Sequence, residues 1–358
     1  MTKAAELAKM GEVLTNSQIG GRRNIVINGA MNVAQRSTSV TGIGAANGYF
    51  TVDRIKLFQS GTAGRLTMSQ AAITDLGGFS KAMKFDVTTA DSSIAAGELF
   101  QIGTLFEGQD IQGFKKGHSD AEGFTVSFYV KGTAKTYSVE LFDADNTRHV
   151  TQTFNVTTSW NRIVLNFPAD TTGKFDSDNA LSLYILIWVH AGSTYTGGTA
   201  ATSWAANNNA NRAVGCGSLF SSTDNELFIT GVQLEVGSVA TPFEHRSFGE
   251  ELALCQRYFY KIEGTTGFKT TFINGAIDGS TAIGVQKHQV EMRAAPTFTQ
   301  SGNVLVYAGG TGTTKSDLSP QMGTKMYRTL ASSINATSGE AFQIDLVSGT
   351  TISFDAEL

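Results

Sequence analysis

Cysteine, proline and charge are all scarce in this chain. Its 358 residues include 2 cysteines, Cys216 and Cys255, and 4 prolines, and 16% are charged. Two cysteines cannot build a disulfide framework or a thiolate zinc site. The five histidines, His118, His149, His190, His245 and His288, are scattered with no ligand spacing. A formal net charge of −4 argues against a nucleic-acid surface. No apolar run approaches the ~18 residues of a membrane helix, and no apolar h-region opens the chain. The expectation is a soluble protein that is not exported through Sec, inserts into no membrane and binds no nucleic acid. Also missing are a G-x-S-x-G elbow, a P-loop, an H-E-x-x-H pair and any fixed-period repeat. No cofactor is expected, and the reading is that the protein is not an enzyme.

What is abundant is glycine, at 39 residues, within a chain that is 41% apolar. Short apolar alternations separated by Gly, Asn, Asp and Thr predict a mainly β protein, a sandwich or barrel. Strands are expected from Asn24 onwards and at 49–58, 64–72, 82–88, 98–106, 123–131, 136–142, 149–156, 160–167, 180–190 and 226–236. The run LSLYILIWVH at 181–190 is almost continuously apolar, so it predicts a central strand covered on both faces. Further strands are expected near 258–263, 268–274, 281–291, 297–307, 324–332, 341–347 and 350–357, with Gly309–Gly312 as the most flexible loop.

The stretch from Phe228 to Phe259 organises the chain. Ile229, Val232, Leu234 and Val236, with Gln233 and Glu235 between them, describe a half-buried strand. Ser247 and Glu250 have the spacing of a capping box, ahead of a helix whose face carries Leu252, Cys255 and Phe259. Residues 2–14 predict a second, short helix, with Ala4, Leu7, Met10 and Leu14 in a stripe. Such a segment is marginal alone and calls for a partner.

The run GVQLEVGSVATPFEHRSFGEELALCQRYFYK closely resembles a segment found in tail-fibre and other virion-appendage proteins of tailed bacteriophages. NIVINGAMNVAQRSTS at 24–39, GYFTVDRIKLF at 48–58 and TSWNRIVLNFPADTTG at 158–173 are similar to that family too. Ile55 departs from it, standing where Trp is frequent. The resemblance implies a jelly-roll β-sandwich like those of carbohydrate-binding modules, followed by a second, smaller β-sandwich. The expected layout is an N-terminal helix and linker for virion attachment (1–23), a jelly-roll domain (24–246), a capped linker helix (247–257) and a C-terminal β-domain (258–358). It further implies a tail fibre, assembled in the host cytoplasm, that joins other phage tail or virion proteins through its N-terminus. A head fibre or capsid decoration protein and a glycan-degrading tailspike are the alternatives.

For a fibre, the expected ligand is host surface polysaccharide, and the interval 191–225 is the candidate region. Sugars stack their C–H faces on aromatic rings and pair hydroxyls with amides and guanidinium groups. Tyr195, Trp204, Asn207, Asn208, Asn209 and Arg212 offer that mixture. Trp204 has two readings, a stacking platform or a plug at a hydrophobic edge, and the Asn run could equally make turns. Trp160 and Trp188, within strands, read as core. Asp143/Asp145 and Asp176/Asp178 with Asn179 have a D-x-D spacing open to Ca²⁺, but the ligand set is incomplete and no metal is assigned.

The resemblance also implies a homotrimer. Light scattering on the purified protein should return about three times the mass of one chain; a clean monomer at micromolar concentration would dismiss it.

Overall fold

The computed structural model describes residue 3 and residues 23–265 and 270–358. The expected N-terminal helix and linker at 1–23 therefore fall outside the described residues, except for Lys3 and Arg23. The chain divides into two compact units, the first ending at Phe248 and the second running from Gly249 to Glu357.

Among the described residues, the first unit holds thirteen strands: β1 (Ser39–Ile43), β2 (Gly48–Tyr49), β3 (Ile55–Ser60), β4 (Arg65–Ala72), β5 (Lys81–Thr89), β6 (Leu99–Glu107), β7 (Phe124–Gly132), β8 (Lys135–Asp143), β9 (Arg148–Val156), β10 (Asn161–Phe167), β11 (Leu181–Ala191), β12 (Ala205–Ala206) and β13 (Glu226–Val236). They form a six-stranded sheet, β1-β4-β5-β13-β7-β10, and a seven-stranded sheet, β12-β9-β8-β11-β6-β3-β2. Every pairing is antiparallel. This is the jelly-roll sandwich that was expected. Leu66, Met83, Phe85, Phe124, Val126, Phe128, Leu227 and Ile229 line one inner face. Leu57, Phe100, Ile102, Val139, Leu141, Leu183, Ile185 and Ile187 line the other. Period-two burial in paired strands is what sends these two sets inward.

β11 is central, between β8 and β6, as its apolar run predicts. β13 explains an odd spacing in its own sequence. Ile229 and Val232 are three residues apart yet both reach the core, because the register shifts between Thr230 and Gln233. The interval 24–31 is a correction: it is turn and irregular backbone, with Asn28 and Met31 at positive φ. The outermost strands of the seven-stranded sheet, β12 and β2, have two residues each.

One end of this sandwich is closed around a buried ammonium. Lys116 Nζ lies 2.5 Å from Asp143 Oδ2, 3.1 Å from Asp170 Oδ2 and 2.9 Å from the carbonyl oxygens of Thr172 and Gly173. Its side chain is fully buried. Arg148 donates to both Asp170 oxygens, at 2.8 and 3.2 Å. Burial works to raise the Asp170 pKa, but Arg148, the Thr172 N–H and Lys116 hold it below the ordinary value. Asp143 is thus committed to a lysine, and Asp145 accepts the Asp176 N–H at 3.0 Å.

The second unit stacks a three-stranded sheet on its own seven-stranded one. Thr351–Asp355 lies between Phe259–Glu263 and Thr297–Ser301 in the first. The second runs Thr311–Lys315, Val304–Ala308, Ala341–Leu346, Thr270–Asp278, Thr281–Lys287, Met326–Ala331 and Ser319–Met322. Tyr260, Phe272, Tyr327 and Phe354 anchor its core. Gly309 and Gly310, both at positive φ, form a two-residue hairpin turn where a flexible loop was expected. The helix after Ser247 spans Phe248–Gln256. It buries Glu251 and Cys255, while Leu252 is half-buried and Phe259 belongs to the next strand.

Lys116→Met should cost about 3–5 kcal/mol in denaturant melts, because it leaves Asp143 buried without its counter-charge. A loss below about 1 kcal/mol would mean that the cage does not hold this end together.

Candidate functional site

The outward face of the seven-stranded sheet carries what the long interval 192–225 covers only in part. Alternation along β11 sends Leu183, Ile185 and Ile187 inward and Tyr184, Leu186 and Trp188 outward. Phe142 of β8 stands opposite Tyr184, and Phe58 of β3 lies on the same face. Phe58 and Tyr184 meet edge-on with ring centres 6.0 Å apart; Tyr184 and Phe142 do so at 5.8 Å. β6 separates β3 from β11, and Gly103 is what lets Phe58 lean across it. A Cβ there would sit 2.7 Å from the Phe58 ring. The three rings are half-buried and make one row across the sheet. Burial raises the Tyr184 phenol pKa against a smaller opposing pull from Arg212.

Arg212 closes one end of this row. Its Nε and Nη2 donate to the two oxygens of Glu140, at 2.8 and 3.0 Å. Its Cζ lies 5.0 Å from the Phe142 ring centre and 5.1 Å from that of Trp188. Glu140, fully buried, also accepts from Trp188 Nε1 at 2.8 Å and faces His149 Nδ1 at 3.0 Å. Each carboxylate oxygen therefore has two partners, which is how a buried charge becomes tolerable. The pairing holds the guanidinium in a fixed plane. Two of its five donors go to Glu140, leaving others for a ligand hydroxyl.

Two of the residues singled out from the sequence reach this site. Tyr195 meets Trp188 at a tilt, with ring centres 5.2 Å apart, and Arg212 completes the cluster. Asn207 and Asn208 are exposed past β12 at the sheet edge, and the Asn208 side chain caps a turn by accepting from Ala210 N. Of its two readings, Trp204 takes that of a plug at a hydrophobic edge, not a stacking platform. It is 8% exposed, tilted against Phe124 at 5.5 Å, with Lys116 Nζ 5.1 Å from its ring centre. Its Nε1 donates to the Pro168 carbonyl at 2.9 Å, so nothing of it is left for a sugar. Trp188 is fully buried, though under the covering loop and not between the sheets. Trp160, expected in the core, is half-exposed; its Nε1 donates to Asp75 Oδ1 at 3.0 Å.

Phe58, Phe142 and Tyr184 escaped sequence reading because they sit on three strands joined only by register. The one visible signal was the set of polar-tipped aromatics, Tyr184 and Trp188, on alternate positions of an otherwise aliphatic strand.

No family model matches the chain, and no curated protein matches it. Among solved structures, the chain is similar to the enzymatically active domain of bacteriophage CBA120 tailspike protein 4. That similarity has a TM-score of 0.32 and 11% identity, over 60% of this chain and 21% of that one. It is similar to a CBM4 module at 0.32 and 12%, over 59% of this chain and 99% of the module. It is also similar to TmCBM61 in complex with β-1,4-galactotriose, at 0.29 and 10%, over 60% and 99%.

Trp204→Ala should lower stability by about 3–5 kcal/mol, the cost of removing a buried aromatic. A melting curve close to the parent's would make Trp204 a surface platform after all.

Proposed function

We propose that this chain is a non-enzymatic virion structural protein of the tail-fibre kind, which binds host cell-surface glycan through its first unit. The observation that carries the glycan reading is the row Phe58–Tyr184–Phe142, ended by the fixed guanidinium of Arg212. Half-buried rings give flat apolar surface to the C–H faces of a sugar, and the guanidinium supplies donors for its hydroxyls. The rings are spaced along a line, which suits an extended chain of sugars better than a single small molecule.

Glycoside hydrolysis needs two carboxylates flanking the scissile bond, ~5–9.5 Å apart. Glu140, the carboxylate that holds Arg212 at the end of the row, is fully buried and bound by Arg212, Trp188 and His149. That arrangement favours binding over cleavage. The tail-fibre assignment rests on the resemblance of the stretches at 24–39, 48–58, 158–173 and 231–261. With it come a homotrimer, attachment to other virion proteins through residues 1–23, and a place on the tail. Multiple copies suit weak single contacts, since linked sites multiply modest affinities.

The test is titration of host polysaccharide against the purified protein. Tyr184→Ala and Phe142→Ala should each weaken binding by about 1–3 kcal/mol, as losing an aromatic stacking partner does, and no reducing sugar should be released. Unchanged binding in both variants would remove this face from consideration, and sugar release would replace the fibre with an enzyme.

A further inference from the structure

At one end of the first unit, away from the aromatic row, three side chains with metal-binding chemistry converge. One ligand atom from each of Asp91, Glu98 and His190 lies within 4.8 Å of the other two. All three residues are buried, His190 completely. Asp91 lies shortly after β5, Glu98 immediately before β6 and His190 near the end of β11, so nothing in their spacing announces them.

A fault in the strand brings them together. Trp188 pairs with Gln101, but His190 pairs with Phe100, leaving Val189 as an extra residue. Strict alternation would put His190 on the outward face with Trp188. The extra residue turns it to the side of Phe100, whose ring is in the core, and the imidazole meets Phe220 at 5.4 Å. Bulges often re-aim a side chain in this way.

His190 and Asp91 are each oriented by a further partner. His190 Nδ1 lies 2.8 Å from Ser218 Oγ, which leaves Nε2 facing Glu98 Oε2 at 3.3 Å. Asp91 Oδ2 accepts from Thr62 Oγ1 at 2.9 Å and from the Ala63 N–H at 2.8 Å. Outer bonds of this kind fix the tautomer and direction of metal ligands. The charge does not balance within the protein. Among the described residues no lysine or arginine pairs with Asp91 or Glu98, in contrast to Glu140, Asp143 and Asp170. An imidazole supplies at most one positive charge against two carboxylates.

We propose that Asp91, Glu98 and His190 form a binding site for a divalent transition-metal ion, with Zn²⁺ as the reference. One imidazole nitrogen and two carboxylate oxygens suit Zn²⁺, and three protein ligands leave a fourth position for water. The imidazole disfavours Ca²⁺ and Mg²⁺, which take oxygen ligands. Bonds of ~2.0–2.2 Å at tetrahedral angles separate ligand atoms by roughly 3.3–3.6 Å. The Nε2 to Oε2 distance of 3.3 Å already meets that condition. The ion would tie the β5–β6 connection to the end of β11 and, through Ser218, to the end of the long covering loop. This inference stands independently of glycan binding.

The full-length protein, dialysed against a chelator, is titrated with Zn²⁺ by calorimetry, with Ca²⁺ as the comparison ion. We expect about one Zn²⁺ per chain, a higher melting midpoint with the ion bound, and no competition from Ca²⁺. Loading with Co²⁺ should give visible absorption bands that Zn²⁺ removes. His190→Ala and Glu98→Gln should each weaken Zn²⁺ binding at least tenfold. Glu98→Gln keeps the size and a hydrogen-bonding oxygen, so it serves as the folded variant if His190→Ala does not fold. Absence of saturable Zn²⁺ binding by the parent would overturn the proposal, as would binding unchanged in folded Glu98→Gln.

Discussion

The Lys116 ammonium, sealed from water among two carboxylates and two carbonyls, constrains where the loops at its end of the first sandwich can run. An ion in that position cannot be left half-satisfied, so every segment supplying an oxygen is held in place. Asp143 fixes the end of β8, while Asp170, Thr172 and Gly173 fix the connection between β10 and β11. Arg148 then links Asp170 to the Trp204 carbonyl at 3.1 Å, and Trp204 covers the ammonium with its ring. The long covering segment is thereby pinned at Trp204 before it crosses the sheet. Its later residues, Arg212 among them, are delivered to Trp188 from a fixed starting point.

Buried carboxylates in this unit are handled in two ways, and the difference separates scaffold from candidate chemistry. Glu140, Asp143 and Asp170 each have a cationic side chain within 2.5–3.1 Å. They immobilise loops and present Arg212, and their own oxygens are fully used. For a cationic partner, Asp91 and Glu98 have among the described residues only a shared histidine. The same fold thus contains charge that has been neutralised internally and charge that has not.

Much of the fold was readable from residue patterns because alternation reports burial directly. The run at 181–190 announced a strand covered on both faces, and β4 to β11 begin and end within a residue or so of where apolar periodicity and turn residues put them. Elsewhere local pattern competed with tertiary context. The alternation at Asn24–Met31 reads as a strand, yet Val26 and Met31 are buried within a turn-rich segment. Gly309-Gly310 reads as slack and is a tight turn. The site was harder to read for a different reason. Phe58, Tyr184 and Phe142 converge only through strand register and through a glycine between them, neither of which a single strand's sequence specifies. Trp204 sat in a polar, irregular stretch that left both of its readings open. What buried it was a carbonyl at Pro168 able to take its N–H, a partner 36 residues away.

The two-residue strands that border the seven-stranded sheet of the first unit bear on how many copies of this protein can coexist at close quarters. A long exposed edge is an open ladder that an identical neighbour can extend, and crowding makes such additions progressive. β12 and β2 offer so few backbone donors and acceptors that a neighbouring strand would find almost nothing to zip onto. Crowding copies together therefore need not convert this sheet into a growing fibre of strands. Side-chain surfaces, which recognise one partner in one orientation, are left to set how neighbouring copies meet along these borders.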